Sequence, residues 1–209
     1  MRKWTSLGLA IAVTAMATTQ VAAQQASPSW NGFYAGLNAG GMFGNTSGSV
    51  AGPGGPAGFS GTGSGFVGGG QAGYNYLLGP VLLGGEIDFQ GSTFAAGVNG
   101  VGAFGPFSTT ERMPWFSTMR ARVGYPVGSV MPYVTGGAVW GQRSIDGPIS
   151  ASANYWTWTA GGGIEGFITE RWSMKAEYLY MGTPSTLLLP GSNETASNNL
   201  VRVGVNYHF

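Results

Sequence analysis

The chain has 209 residues, only 8% of them charged, and a formal net charge of +1. Soluble domains carry about 25% charged residues, so this composition, with 13% aromatic residues, argues against an ordinary water-facing surface. The near-neutral charge also argues against nucleic acid as a partner, and the absence of cysteine excludes disulfides.

The first residues have the pattern of an export signal. A positive start at Arg2 and Lys3 precedes a mostly apolar stretch and small residues at 21–23, where a signal peptidase would cut. The alternative is a transmembrane anchor, which needs about 20 apolar residues, but threonines and a glutamine interrupt the run. We therefore predict a signal peptide over residues 1–23 and an exported barrel domain over residues 24–209.

The rest of the chain divides into runs in which apolar and polar residues alternate. A period of two is the spacing of a β-strand with one apolar face. Eight such runs cover residues 30–43, 64–78, 81–91, 110–125, 130–141, 155–167, 171–181 and 200–209. We expect an all-β fold, an eight-stranded antiparallel up-and-down transmembrane β-barrel, with the uncharged, aromatic-rich face of each run toward lipid.

The fourth run contains an acid on its predicted outer face and a proline. Its alternation places Met113, Trp115 and Met119 toward lipid, and by parity it also places Glu111 there, at the strand end. Proline cannot donate a hydrogen bond to a sheet. We therefore expect Pro114, like Pro132 in the fifth run, to lie near a strand end.

The segments between the runs alternate between short and long. Three short connections are predicted as turns, at residues 78–80, 126–129 and 168–170. Four longer ones are rich in Gly, Ser, Asn and Pro and are predicted as loops, at residues 44–63, 92–109, 142–154 and 182–197. Short periplasmic turns alternating with long outside loops are typical of an outer-membrane barrel.

Charged side chains fall on the predicted inner face. The set contains four acids and four bases: Glu86, Asp88, Arg120, Arg122, Glu165, Lys175, Glu177 and Arg202. A basic residue at the bilayer midplane costs about 2–4 kcal/mol, so the inner face is where a barrel must keep these groups. The interior of eight strands is just wide enough for side chains. We therefore expect a network of ion pairs that fills the barrel, in which Glu86 or Asp88 could pair with Arg120 or Arg122, and the alternative is a narrow ion path.

Four segments carry a family resemblance. Residues 29–41, 133–138, 172–180 and 199–209 resemble the first, fifth, seventh and last strands of the small outer-membrane β-barrel proteins of alphaproteobacteria, the porin-family or OmpA-like barrels. The resemblance implies a location in the bacterial outer membrane and insertion by the outer-membrane assembly machinery. It also implies that the last strand is the assembly signal, with Val203, Val205, Tyr207 and Phe209 on its outer face.

Other motifs give little support for catalysis. Residues 63–68 fit the G-x-G-x-x-G pattern but lack the βαβ context of a dinucleotide site. His208 is the only histidine; a lipid hydrolase would need a serine and an acid beside it, and a metal site would need more ligands. The family has no shared catalytic residues.

We therefore expect a non-enzymatic monomer with no cofactor or metal. Its partners would be outer-membrane lipid, the assembly machinery and surface ligands bound through the long loops, and its role would be envelope integrity or surface contact. The alternatives are a narrow porin-like channel for ions or small solutes and an outer-membrane lipid-modifying enzyme.

Overall fold

Eight strands follow one another along the chain and close into a ring. The computed structural model describes residues 29–52, 55–102, 105–146, 150–184 and 192–209. Each strand is antiparallel to the next, and the last pairs with the first, so the sheet is a closed barrel. The strands are β1 (Gly32–Gly52), β2 (Gly55–Leu78), β3 (Val81–Gly102), β4 (Gly105–Gly124), β5 (Val130–Asp146), β6 (Ala151–Phe167), β7 (Trp172–Met181) and β8 (Ser192–His208).

The predicted signal peptide lies outside the described residues. None of the described ranges contains a helix with the length and hydropathy that crossing a bilayer requires.

The alternation of side chains decides which residues face out. On β1, Phe33 and Leu37 are 67% and 73% exposed, whereas Tyr34 between them is buried at 1%. The same parity holds on β2, β3 and β5 to β8, where aromatic and aliphatic side chains point outward and polar ones inward. The predicted faces of these strands are therefore confirmed.

Strand β4 departs from its predicted pattern at Pro114. The pairing of β4 with β5 jumps there from Arg112 to Trp115, and its pairing with β3 also shifts register. A β-bulge inserts an unpaired residue into the ladder, which accommodates a proline that has no N–H group to donate. Pro114 thus lies in the middle of β4 rather than near its end, whereas Pro132 does lie near the start of β5.

The bulge reverses the parity of the residues before it. Met113, predicted to face lipid, is only 2% exposed and lies among the buried apolar residues of the interior. Glu111 is also buried. Both predictions for the outer face were therefore wrong, because alternation along one strand cannot be extended through a bulge.

The first two of the long connections are mostly strand in their described residues. The β1–β2 pairing continues without a break to Gly52 opposite Gly55, and the β3–β4 pairing reaches Gly102 opposite Gly105. The prediction of irregular loops was wrong for these segments because an antiparallel pair satisfies its backbone groups whatever the side chains are. The three short turns are confirmed.

Aromatic side chains mark where the lipid-facing band begins. Phe89, Trp115, Trp140 and Trp156 form a row across four strands, with ring centroids 5.8, 5.1 and 6.0 Å apart. From this row to the opposite end of the strands is roughly ten residues, which at a tilt near 40° gives about 25 Å, the height of the apolar band of such barrels. The parts of β1 to β4 beyond the row therefore extend outside the lipid.

Two adjacent glycines on β1 provide a test of how tightly the barrel closes. A Cβ atom on Gly40 would overlap the carbonyl oxygen of Val201 and the backbone of Arg202, whereas one on Gly41 would meet nothing within 4 Å. We expect Gly40→Ala to lower the free energy of unfolding by about 1–3 kcal/mol, and Gly41→Ala to change it by no more than about 0.5 kcal/mol.

The measurement is a urea titration of tryptophan fluorescence on protein refolded into liposomes. Equal losses in the two variants would show that the β1–β8 closure is not as close as described.

Candidate functional site

The barrel interior is filled in layers along its axis. Nearest the short turns lies an apolar cluster of Trp30, Leu82, Met131 and Tyr133. The charged residues come next, and a larger apolar layer follows them, formed by Met42, Val67, Phe94, Ala96, Met113, Phe116, Val139, Tyr155, Leu179, Met181 and Leu200. The charged layer is thus enclosed between two apolar ones.

All eight charged residues predicted for the inner face lie in this middle layer and are buried. Spacing by two residues places Glu86 with Asp88, and Lys175 with Glu177, on the inner face of their strands. Register then sets cross-strand neighbours: Glu86 opposite Arg120, Glu165 opposite Lys175, and Glu177 opposite Arg202.

Arg120 is the centre of the network. Its guanidinium donates to Glu86, to Asp88 at 3.0 Å and to Glu177 at 2.9 Å. Glu177 belongs to β7, on the other side of the barrel from β4, so this arginine joins opposite walls.

Two further bases complete this group. Arg202 donates to Glu177 at 2.7 Å and to Asp88 at 2.9 Å. Lys175 donates to both carboxylate oxygens of Glu86 at 2.8 Å. Glu86 therefore lies between Lys175 and Arg120, and each acid contacts more than one base.

The remaining pair lies closer to the short turns. Arg122 donates to Glu165 at 2.9 Å and to the Asn75 side chain at 2.9 Å. Its guanidinium also stacks over the Tyr34 ring, 4.5 Å from the centroid. Tyr34 in turn donates to Glu86 at 2.7 Å, which links this pair to the central group.

The acidic and basic side chains of the middle layer balance one another in number. Four acids and four bases are buried together, and each contacts at least one opposite charge. A buried charge without a partner is very costly, so the balance allows an eight-stranded barrel to keep these groups away from lipid. The layer forms a plug rather than a binding cleft.

His208 has a serine and an acid beside it, but not in the geometry of a hydrolase. The Ser173 hydroxyl lies 3.0 Å from His208 Nε2 and donates to Glu165 Oε1 at 2.5 Å. The same Glu165 oxygen is 3.5 Å from Nε2. In a catalytic triad the acid contacts the ring nitrogen opposite to the serine, whereas here both approach one nitrogen, and Ser173 is fully buried.

One buried ion pair was missed from the sequence. Arg143 donates to Glu111 at 2.6 Å inside the barrel, beyond the larger apolar layer. Glu111 was assigned to the outer face, and Arg143 fell within a predicted loop. The proline at 114 was the available signal, since it suggests a bulge that reverses parity.

No metal or dinucleotide site is present in the described part of the chain. It contains no group of three or more His, Asp or Glu residues that could hold a metal ion. The glycine pattern at residues 63–68 lies within β2 and is followed by more strand rather than a helix.

The residues of the predicted assembly signal lie on the outer surface. Val203, Val205 and Phe209 are exposed, and Tyr207 is partly exposed. The backbone N–H group of Phe209 donates to the carbonyl of Phe33 at 3.0 Å, and this bond holds Phe209 against β1. Recognition of these residues by assembly machinery stays a prediction.

Comparison with known proteins gives a consistent result. The sequence model of the family described as "Outer membrane protein beta-barrel domain" matches residues 9–209. The 31 kDa outer-membrane immunogenic protein of Brucella melitensis biotype 1 is 34% identical, over 98% of this chain and 97% of that protein. The 22 kDa outer membrane protein of Rhizobium leguminosarum bv. viciae is 28% identical, over 54% of this chain and 51% of that protein.

A solved structure shows the same fold. The crystal structure of Neisserial surface protein A matches with a TM-score of 0.53 at 14% identity, covering 85% of this chain and 97% of that one.

The central network predicts a large effect of neutralising Glu86. The change Glu86→Gln leaves Lys175 and Arg120 without part of their compensating charge in the interior, so we expect the free energy of unfolding to fall by about 3–5 kcal/mol. The matched control is Asp146→Asn, which removes the Arg112–Asp146 pair, where both side chains are 56% exposed. That change should cost no more than about 1 kcal/mol.

Both variants are measured by urea unfolding in liposomes. A Glu86→Gln protein as stable as the Asp146→Asn control would contradict the assignment of Glu86 to a buried, mutually dependent network.

Proposed function

Because this chain belongs to the outer membrane protein β-barrel domain family, we propose that it is a non-catalytic anchor of the bacterial outer membrane. Its barrel is closed to solutes and holds an extension of its own strands at the cell surface. The observation that carries this proposal is the balanced set of buried charges that fills the interior.

A closed interior distinguishes the anchor from a channel. An eight-stranded barrel has room for little more than its own side chains, and here salt bridges connect opposite walls. The apolar layer beyond them contains Phe116, Val139 and Leu200, all fully buried. An ion following the axis would have to displace both layers, which supports an anchor over a porin-like path.

The strand extension supports a role at the surface. The paired parts of β1 to β4 beyond the aromatic row carry exposed, uncharged polar side chains such as Asn45, Ser47, Ser60 and Asn99. A paired sheet presents such groups in a fixed arrangement. We propose that the envelope or surface contacts of this protein are made here. The description of relatives as outer-membrane immunogenic proteins is consistent with exposure at the surface.

The proposal also covers assembly and lipid. The barrel acts as a monomer whose apolar outer face contacts outer-membrane lipid, and the assembly machinery recognises its last strand. The exposed side chains of Val203 and Val205 on β8, and of Phe209 directly after it, support that recognition.

Planar bilayer recording tests the closed barrel. Purified, refolded protein should give no discrete conductance steps, because salt bridges and apolar side chains fill the lumen. A general porin added to the same bilayers is the control that shows steps can be detected. Regular steps from this protein would instead support the narrow channel.

Single cysteines test the surface extension, because the chain has no cysteine of its own. Ser60→Cys on the β2 extension should react with a membrane-impermeant maleimide on intact cells. Ile168→Cys, in the β6–β7 turn, should react only after the outer membrane is permeabilised. Leu37→Cys, which faces lipid in the membrane-spanning part of β1, is the control and should react in neither condition.

Labelling of Ile168→Cys on intact cells, with Ser60→Cys protected, would reverse the proposed orientation.

A further inference from the structure

An apolar groove runs down the outer surface where β7, β8 and β1 meet. It has a volume of about 690 Å³, and its lining includes Trp172, Met174, Val205 and Leu37. Ala35 and Ala39 also line it, and their small side chains leave the space between these larger ones open. The groove lies on the part of the surface that faces lipid.

A fixed cation lies at one end of this groove. Arg171, in the turn before β7, donates from Nη1 to the Tyr207 hydroxyl at 2.9 Å, and Tyr207 itself lines the groove. The carbonyl of Arg171 accepts a hydrogen bond from the N–H of His208 at 2.8 Å. The Tyr207 ring packs edge-on against Trp172, with centroids 5.2 Å apart. These contacts hold the exposed guanidinium at the mouth of the groove, at the periplasmic rim.

We propose that this groove and Arg171 form a binding site for one phospholipid of the periplasmic leaflet. The guanidinium would bind the lipid phosphate, for which its planar fork of donors is suited. One acyl chain would lie in the groove.

The length of the groove agrees with this occupant. It extends along β8 from Tyr207 to Val203, four residues or roughly 13 Å along the strand, which at a tilt near 40° is about 10 Å of depth. The apolar band of such barrels is about 25 Å high, or about 12 Å for each leaflet, so the groove spans most of one leaflet. A leaflet lipid with its phosphate at Arg171 therefore reaches the end of the groove at Val203.

A second groove on the same surface serves as the comparison. It has a volume of about 670 Å³ and is lined by Phe33, Ala72, Ile87 and Met119, among others. The one cation in its lining, Arg120, has its side chain buried in the barrel interior. This groove has the apolar part of a lipid site without an outward-facing cation.

The test is native mass spectrometry of the folded protein released from nanodiscs that contain phosphatidylglycerol and phosphatidylethanolamine. Wild type should retain one phospholipid. Arg171→Gln removes the phosphate ligand, and Ala39→Phe fills the groove, so each should reduce the retained fraction roughly tenfold or more.

Two matched changes should leave retention at the wild-type level or higher. Ala72→Phe makes the same substitution in the second groove. Glu170→Gln removes the negative charge next to Arg171, so it should not weaken the binding of an anionic phosphate. Heat-modifiable migration on a gel checks that each variant is folded, and Ala39→Leu replaces Ala39→Phe if the latter does not fold.

The inference is overturned if wild type retains no phospholipid, or if Arg171→Gln and the groove-filling variant retain as much as the two controls. It depends on the outer-membrane location and on the periplasmic position of the β6–β7 turn, but not on a closed barrel. Conductance steps from wild type would therefore leave it intact, whereas a reversed labelling pattern would overturn it.

Discussion

The requirement that polar groups find partners within the protein governs this structure. Hydrocarbon offers no hydrogen bonds, so a spanning sheet must close and pair every strand. Closing at eight strands leaves an interior only as wide as its side chains, so charged residues placed inside cannot be solvated and must neutralise one another. The ring of strands and the balanced set of four acids and four bases are therefore consequences of one constraint. Glu86 on β3 illustrates this, because Arg120 donates to it from the neighbouring strand β4 and Lys175 donates to it from β7 across the barrel.

Glycine makes room for this network. Large side chains that point into a narrow barrel need a neighbouring strand whose paired residue does not project inward, and Gly40, Gly73 and Gly163 pair with Arg202, Tyr34 and Tyr133. A Cβ atom on Gly40 would overlap the backbone beside Arg202, one on Gly73 would collide with the Tyr34 ring, and one on Gly163 would lie 2.8 Å from the Tyr133 hydroxyl. Tyr34 and Tyr133 each donate to an acid of the network. The high glycine content thus serves the packing of large polar side chains.

The sequence predicts what depends on local periodicity and fails where pairing between strands decides. Alternation was enough to place Glu86, Lys175 and Arg202 inside, since each strand keeps its parity. It failed at Pro114, because a bulge depends on the neighbouring strands, and Glu111 and Met113 were assigned to the wrong face as a result. The lumen-crossing pairs, such as Arg120 with Glu177, were not predictable because they depend on the reach of side chains across the barrel. Glycine-rich composition also could not distinguish a loop from a paired extension.

The two ends of the barrel outside the filled interior differ in their surfaces. Beyond the aromatic row, Asn45, Ser47, Ser60 and Thr62 form an exposed surface, and their side chains have no hydrogen-bond partner within the described residues. Changes there would not reach the central network around Glu86, because the apolar layer containing Phe116 and Leu200 separates the two regions. At the other end, the Arg171 side chain donates to the Tyr207 hydroxyl, and the Arg171 carbonyl accepts a hydrogen bond from the N–H of His208. The apolar layer therefore separates changes in the strand extension from the packing of the membrane-embedded half.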